Sequence, residues 1–231
     1  KDRVDFVIEK MEYYGFSGRK RKCLGFCVSN AHADFMASEF NAFGYPSISL
    51  SGESSDTERK EVIKRLENLD DKLEFIFTVD IFNEGIDIPS VNLVLMLRPT
   101  QSPIIFTQQL GRGLRKHYEK EFLTVLDFIG NHNKSFLIPI ALSGSRYYDK
   151  DSLRVQLEKN FSDIPGCTNI SMDEIAKEHI LTQLERVNFT DMKYLREEYL
   201  EFKNSLGGKV PLLLDYVGHE TAPDPVKFIL K

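Results

Sequence analysis

Residues Leu73 to Leu97 read LEFIFTVDIFNEGIDIPSVNLVLML, and the class of fold turns on them. Two runs, Leu73 to Val79 and Leu93 to Leu97, are apolar almost throughout and flank a segment holding Gly85 and Pro89. A strand with one wet face alternates apolar and polar residues, whereas a short unbroken apolar run marks a strand covered on both faces of a parallel sheet. Parallel neighbours cannot be joined by a tight turn and need a crossover, usually a helix. The rest of the chain should therefore alternate strands with helices.

It reads that way in both directions. Toward the amino terminus, Val4, Val7, Ile8 and Met11 recur at helical spacing between Arg3 and Tyr14, and Gly15 stops the pattern. A basic turn, Arg19 to Lys22, leads into an apolar strand, Cys23 to Val28. Ser29 can cap a helix running through Phe43 and closed by Gly44. Ser47 to Leu50 is a short strand, and Asp56 can cap a helix carrying Val62, Ile63 and Leu66. Beyond Leu97, Ser102-Pro103 places a cap before a proline at the first helical position and starts a helix through about Leu114. Phe122 to Phe128 returns as a strand, and Phe136 to Leu142 is a candidate for one more. Such alternation points to an α/β layer fold with right-handed crossovers.

After about Ser143 the character changes. Ser171 with Glu174 forms a capping-box pattern before Ile175, Ile180, Leu181 and Leu184, and Thr190 can cap a further helix through Leu206. Pro211, Pro223 and Pro225 break up the tail. The expected division is residues 1–145 as the α/β domain and 146–231 as a mainly helical accessory region.

With 231 residues the chain can bury a real core, and a net charge of −5 excludes a global basic field for holding nucleic acid. Any such binding must be local. No apolar run approaches the roughly 20 residues of a membrane span, so no membrane partner and a cytoplasmic location are expected. Cys23, Cys27 and Cys167 lack a metal-ligand spacing and read as thiols in a reducing compartment, with no metal site expected. His117 and His132 likewise lack partners at metal spacing.

Chemistry concentrates in a few segments expected at the carboxyl ends of the strands. In QQLGRGLR, Gln108 to Arg115, the arginines Arg112 and Arg115 are three apart and share a helix face. Two guanidinium forks on one face can stabilise charge developing on a transferring phosphoryl group, and a solvated arginine pair on a surface helix is the alternative. Gly111 permits close approach, and Gln108 adds a polar reach one turn earlier. In Val79 to Pro89, Gly85 can take positive φ and Asp87 suits a ribose hydroxyl or an arginine, with an ordinary Asx turn as the other reading.

Taken together, QQLGRGLR, LRPTQSPIIF and NEGIDIP resemble motifs V and VI of the superfamily 2 helicases, in the bacterial type III restriction subunit-like and DEAD/DEAH-box branch. The Q-x-x-G-R-x-x-R pattern is complete. The resemblance, over residues 20–142, implies a RecA-like three-layer α/β/α domain with a mainly parallel sheet, the C-terminal of two motor domains. It implies that Arg112 and Arg115 face nucleotide phosphates, with Gln108, Gly111, Gly85 and Asp87 bordering the nucleotide. Ser29 and Asn30 resemble motif IV, and Ser51-Gly52 with Arg59 resembles the loop and arginine after the next strand, so Ser29, Asn30 and Gly52 are implied nucleic-acid contacts made through phosphates. Val79 stands where motif V commonly has threonine, and Thr78 points to the other face.

No G-x-x-x-x-G-K-[ST] loop and no acidic Walker-B strand occurs in the sequence. The expectation is a second motor domain that shares ATP with Mg2+ with an N-terminal RecA-like domain of the same protein lying before Lys1, that acts on nucleic acid, DNA ahead of RNA, and that is inactive alone. The rival is a non-catalytic α/β module recruiting a partner through its helical region.

Overall fold

The computed structural model describes residues 2–79, 88–99, 115–128, 135–143, 150–159, 161, 170–189, 191–218, 222–223 and 225–229. They fall into two compact units, Lys1–Pro99 with Thr107–Ile129, and Thr100–Phe106 with Gly130–Lys231.

In the first unit the chain order is α1 (Asp2–Tyr14), β1 (Cys23–Phe26), α2 (Asn30–Ala42), β2 (Ser47–Leu50), α3 (Asp56–Glu67), β3 (Phe75–Thr78), β4 (Leu93–Met96) and β5 (Thr124–Asp127). The five strands form one parallel sheet in the order β2-β3-β1-β4-β5. Both apolar runs become strands, β3 and β4, flanking β1. Their register is level: Cys23 lies opposite Phe75 and Leu93, and Phe26 opposite Thr78 and Met96.

Both faces are covered, as the unbroken apolar runs require. Cys23, Phe75, Phe77, Leu93 and Leu95 share a core with Val4, Val7 and Met11 of α1 and Ala33, Met36, Ala37 and Phe40 of α2. Their alternates, Leu24, Phe26, Ile76, Thr78, Val94 and Met96, point to the opposite face and are all buried. The crossovers explain the layers. The connection through α2 moves from β1 past β3 to β2, and the one through α3 returns from β2 to β3. Right-handed connections running in opposite directions put their helices on opposite faces. The result is a three-layer α/β/α domain.

Gly25 is a strand glycine with a packing reason. A Cβ built there would come within 2.5 Å of Phe77 Cε1. The missing side chain lets Phe77 lie across β1, its ring parallel to that of Phe75 at 6.2 Å, with Phe40 set edge-on to both at 4.9 and 5.0 Å.

Helix starts are displaced slightly from their sequence signals. Ser29 caps α2 as expected, accepting from His32 N. For α3 the cap is Ser55, which accepts from Glu58 N, and Asp56 lies inside the first turn. Both residues are competent caps, and the hydroxyl one position earlier takes the bond.

Among the described residues the second unit is helical: α4 (Leu137–Ser143), α5 (Lys150–Glu158), α6 (Glu174–Arg186), α7 (Met192–Ser205), α8 (Leu213–Gly218) and α9 (Val226–Ile229). The expected strand at Phe136 to Leu142 is instead α4. Phe136, Leu137 and Ile140 pack with Leu153, Leu157, Ile180 and Leu184, a helical core that rewards one turn rather than alternation. A short apolar run does not by itself distinguish buried helix from buried strand. Asp173, not Ser171, caps α6 through Ile175 N and Ala176 N, and Asp191 caps α7 through Lys193 N.

Candidate functional site

The level register gives the sheet two distinct rims. At the carboxyl rim the strands end at Phe26, Leu50, Thr78, Met96 and Asp127. Ser29 and Asn30 stand exposed just beyond β1. Ser29 is extended at φ −150°, and its hydroxyl accepts from His32 N at 3.2 Å, which leaves its own proton free to donate. Val28 N donates to His32 Nδ1 at 3.4 Å. Burial, with help from the Arg3 charge, lowers the His32 pKa and favours the neutral ring that this acceptor role needs.

Beyond β2, Gly52 is exposed, and its carbonyl accepts from Arg59 Nη2 at 2.8 Å. Arg59 also reaches Ser51 O at 3.5 Å and pairs with Asp56 at 3.7 Å. It therefore pins the loop to the first turn of α3. Nothing lies within 4 Å of a Cβ built on Gly52, and its φ is not left-handed. The fold itself therefore does not demand glycine here. β1 and β2 are separated by β3, so Ser29 and Gly52 lie about 10 Å apart by strand spacing, along one rim.

Thr78 is fully buried, and its hydroxyl has no partner among the described residues. It faces the covered side with Phe26, as alternation required, and not the rim. Val79 contributes its carbonyl instead, accepting from Arg98 Nη1 at 2.9 Å. Arg98 also lies over the Phe26 ring at 6.0 Å and lowers, weakly, the pKa of Cys27, which burial pushes up to about 12. Cys27 and Cys23 are both fully buried thiols of the core. Arg98 has no spacing signal of its own, because a lone arginine after a strand reads as a solvated end.

In the basic turn, Arg21 and Lys22 turn inward and are buried. Arg21 is 7% exposed, paired with Glu12 at 2.8 Å and Glu74 at 3.3 Å, and packed on Phe16, Tyr45 and Phe75. Lys20 Nζ donates to Arg65 O and Asn68 O at the end of α3. Arg19 remains exposed.

Of the arginine-bearing segment, Arg115 is described and exposed. Two residues later His117 bridges Lys120, and Lys120 Nζ donates to Val91 O, just before β4 begins. By Lys120 the chain has therefore reached the amino rim, from which β5 starts. Gln108, Gly111, Arg112, Gly85 and Asp87 lie outside the described residues, as does the helix expected from Ser102. The structure therefore brings Ser29, Asn30 and Gly52 to one rim. Among the described residues no group of three or more His, Cys, Asp or Glu could hold a metal ion, and no helix is long and apolar enough to cross a membrane.

Residues 3–117 match the helicase conserved C-terminal domain family. The chain is 30% identical over 129 residues to IRC3 of Saccharomyces cerevisiae, assigned as an ATP-dependent helicase, covering 56% of this chain and 18% of that protein. It is 35% identical over 106 residues to the type I restriction enzyme EcoKI endonuclease subunit of Escherichia coli, covering 41% of this chain and 9% of that one. The chain thus spans less than a fifth of the length of these relatives. In structure it is similar to the C-terminal domain of the DEAD-box protein Dbp5, with a TM-score of 0.52 at 17% identity, covering 80% of this chain and 91% of that chain. The parallel five-stranded sheet, the level rims and these likenesses agree that the chain carries, in its first half, the C-terminal RecA-like domain of the superfamily 2 helicases.

Proposed function

We propose that this chain is the second motor domain of a nucleic-acid-dependent ATPase, a helicase or translocase. The match over residues 3–117, which ends two residues after Arg115, carries the reading. In it Arg112 and Arg115 stabilise charge on the transferring phosphoryl group, with Gln108, Gly111, Gly85 and Asp87 bordering the nucleotide. The sequence holds no phosphate-cradling loop, and in this reading a partner RecA-like domain of the same protein supplies most of the contacts to ATP and Mg2+. ATP binding closes the two domains and hydrolysis reopens them.

The strand lies along the carboxyl rim. Exposed donors at Ser29 and Asn30 suit phosphate oxygens. Gly52, a glycine the fold does not need, is explained by a backbone that must approach something outside the chain. We take DNA ahead of RNA as the strand. Residues 1–145 act as the motor domain and 146–231 as a helical accessory region, in a cytoplasmic protein.

Single-turnover ATP hydrolysis by the full-length protein tests this. Arg115→Ala should slow strand-stimulated hydrolysis by about 10³-fold or more. Gly52→Asp, whose Cβ would meet nothing within 4 Å, should leave thermal stability intact while weakening strand binding. Unchanged hydrolysis in the first variant sinks the arginine assignment, and unchanged binding in the second sinks the strand path. A second reading, a non-catalytic module recruiting a partner, draws support from Val210, Leu212, Leu213 and Leu214, each at least 65% exposed. A full-length sequence with no phosphate-binding loop would favour it.

A further inference from the structure

At the amino rim, the turn Ser17 to Lys22 is tied to the chain that follows Arg115 by contacts that none of the helicase motifs accounts for. Lys22 is 2% exposed, and its ammonium is paired with the Glu119 carboxylate. Glu121 N donates to Ser17 Oγ at 2.8 Å. Gly18, left-handed at φ +101°, sits so close to the Glu119 carbonyl that a Cβ would collide with it. Asn92 organises the receiving side. Its Oδ1 accepts from Lys22 N at 2.8 Å, and its Nδ2 donates to Ser17 O at 2.7 Å and Lys20 O at 2.8 Å.

Desolvating an ammonium is costly, and an apolar residue of similar length would fill the same space more cheaply. What the charge adds is direction. A methionine at position 22 would accept many apolar neighbours, whereas a buried lysine requires a carboxylate at one place. On the partner's side His117 Nδ1 accepts from Glu119 N at 3.3 Å and lies 3.9 Å from the carboxylate, so the short bridge from His117 to Lys120 presents Glu119 in a set orientation.

Resting on the reading that Arg112 and Arg115 face nucleotide phosphates, we propose that Lys22 and Glu119 are positioning residues for that arginine-bearing segment. Their ion pair fixes the chain four residues beyond Arg115 to the sheet and so sets where the segment ends. Neither residue touches nucleotide or strand. Both act through the backbone from Arg115 to Glu119, which spans at most about 14 Å when extended. Misplacing a reacting group by about 1 Å can cost on the order of 100-fold in rate, so a tether of this length matters.

The test uses the full-length protein with Glu119→Gln. A second variant, Lys22→Met with Glu119→Gln, removes the buried charge together with its partner and keeps the fold where the single change leaves an uncompensated ammonium. In both, amide hydrogen exchange over residues 115–121 should accelerate, while amides of β1 and β4 keep their rates. The kcat for strand-stimulated ATP hydrolysis should fall on the order of tenfold, with KM for ATP and strand affinity unchanged. Exchange that is unchanged at 115–121, or that rises equally across the whole core, overturns the proposal. So does wild-type kcat per folded molecule. If the wild-type protein hydrolyses no ATP, the motor reading fails by itself, and the exchange measurement still decides whether the pair holds this segment.

Discussion

Gly25 and Phe77 form one packing unit: the ring occupies the volume a β-carbon would take. Gly25→Ala should therefore destabilise the domain by about 1 to 3 kcal/mol through overpacking, measured by urea unfolding. Adding Phe77→Leu should recover part of the loss, because residues in contact do not act additively; fully additive effects would show that the contact is not the cause. Nothing in the sequence flags this pair, since a glycine within an apolar run has no visible reason until the register sets it opposite an aromatic. Lys22 was hidden in the same way. In the run Arg19 to Lys22 four basic residues look alike, yet Arg21 and Lys22 are buried and paired while Arg19 is exposed. Partners as distant in sequence as Glu74 and Glu119 create the difference, and local pattern carries no record of them.

Elements were more legible than residues. The strands at Cys23, Ser47, Leu73, Leu93 and Phe122 and the helices between them follow from apolar runs and punctuation, because a doubly covered parallel strand has few alternatives. Phe136 to Leu142 was misread because an apolar run that short packs equally well as one helical turn. Ser29 serves α2 as its cap, so Ser29→Ala should cost about 1 kcal/mol of stability by thermal or urea unfolding, whatever becomes of strand binding. Asn30→Ala, one residue inside the helix, should cost less; equal losses would mean that Ser29 is not the cap. The bridge from His117 to Lys120 has a pH signature. The Lys22 hydrogen bond holds the Glu119 carboxyl below its ordinary range. Its folded pKa is thus lower than its unfolded value of about 4.3, and the stability it contributes is complete above that value and drains as pH falls through the folded one. The thermal midpoint of the wild type should fall more steeply below about pH 4.5 than that of Glu119→Gln. Identical slopes would show that the pair contributes nothing to folding.

For the whole molecule, charge sets the terms on which a strand could be held. With a net charge of −5 and rim candidates that are hydroxyl, amide and backbone groups, few counterions would be released on binding. Affinity of this chain for a single strand should fall with log salt at a slope no steeper than about −3, given roughly −0.7 per neutralised phosphate. A much steeper slope, measured by fluorescence anisotropy, would place the strand on a basic surface instead. The general class of molecule was readable from QQLGRGLR and its neighbours. The anchoring of the chain after Arg115 to Ser17 and Lys22 was not, because it depends on contacts about 100 residues apart in sequence. The level register has a mechanical side. Every strand pairs residue for residue over four positions, so the sheet is a slab of uniform depth, about 13 Å, without a thin place at which to bend. A push delivered at one rim of the sheet should reach the other as tilt of the sheet as a whole. In the motor proposed above, compliance would then reside in the joints, with this sheet as the stiff element between them.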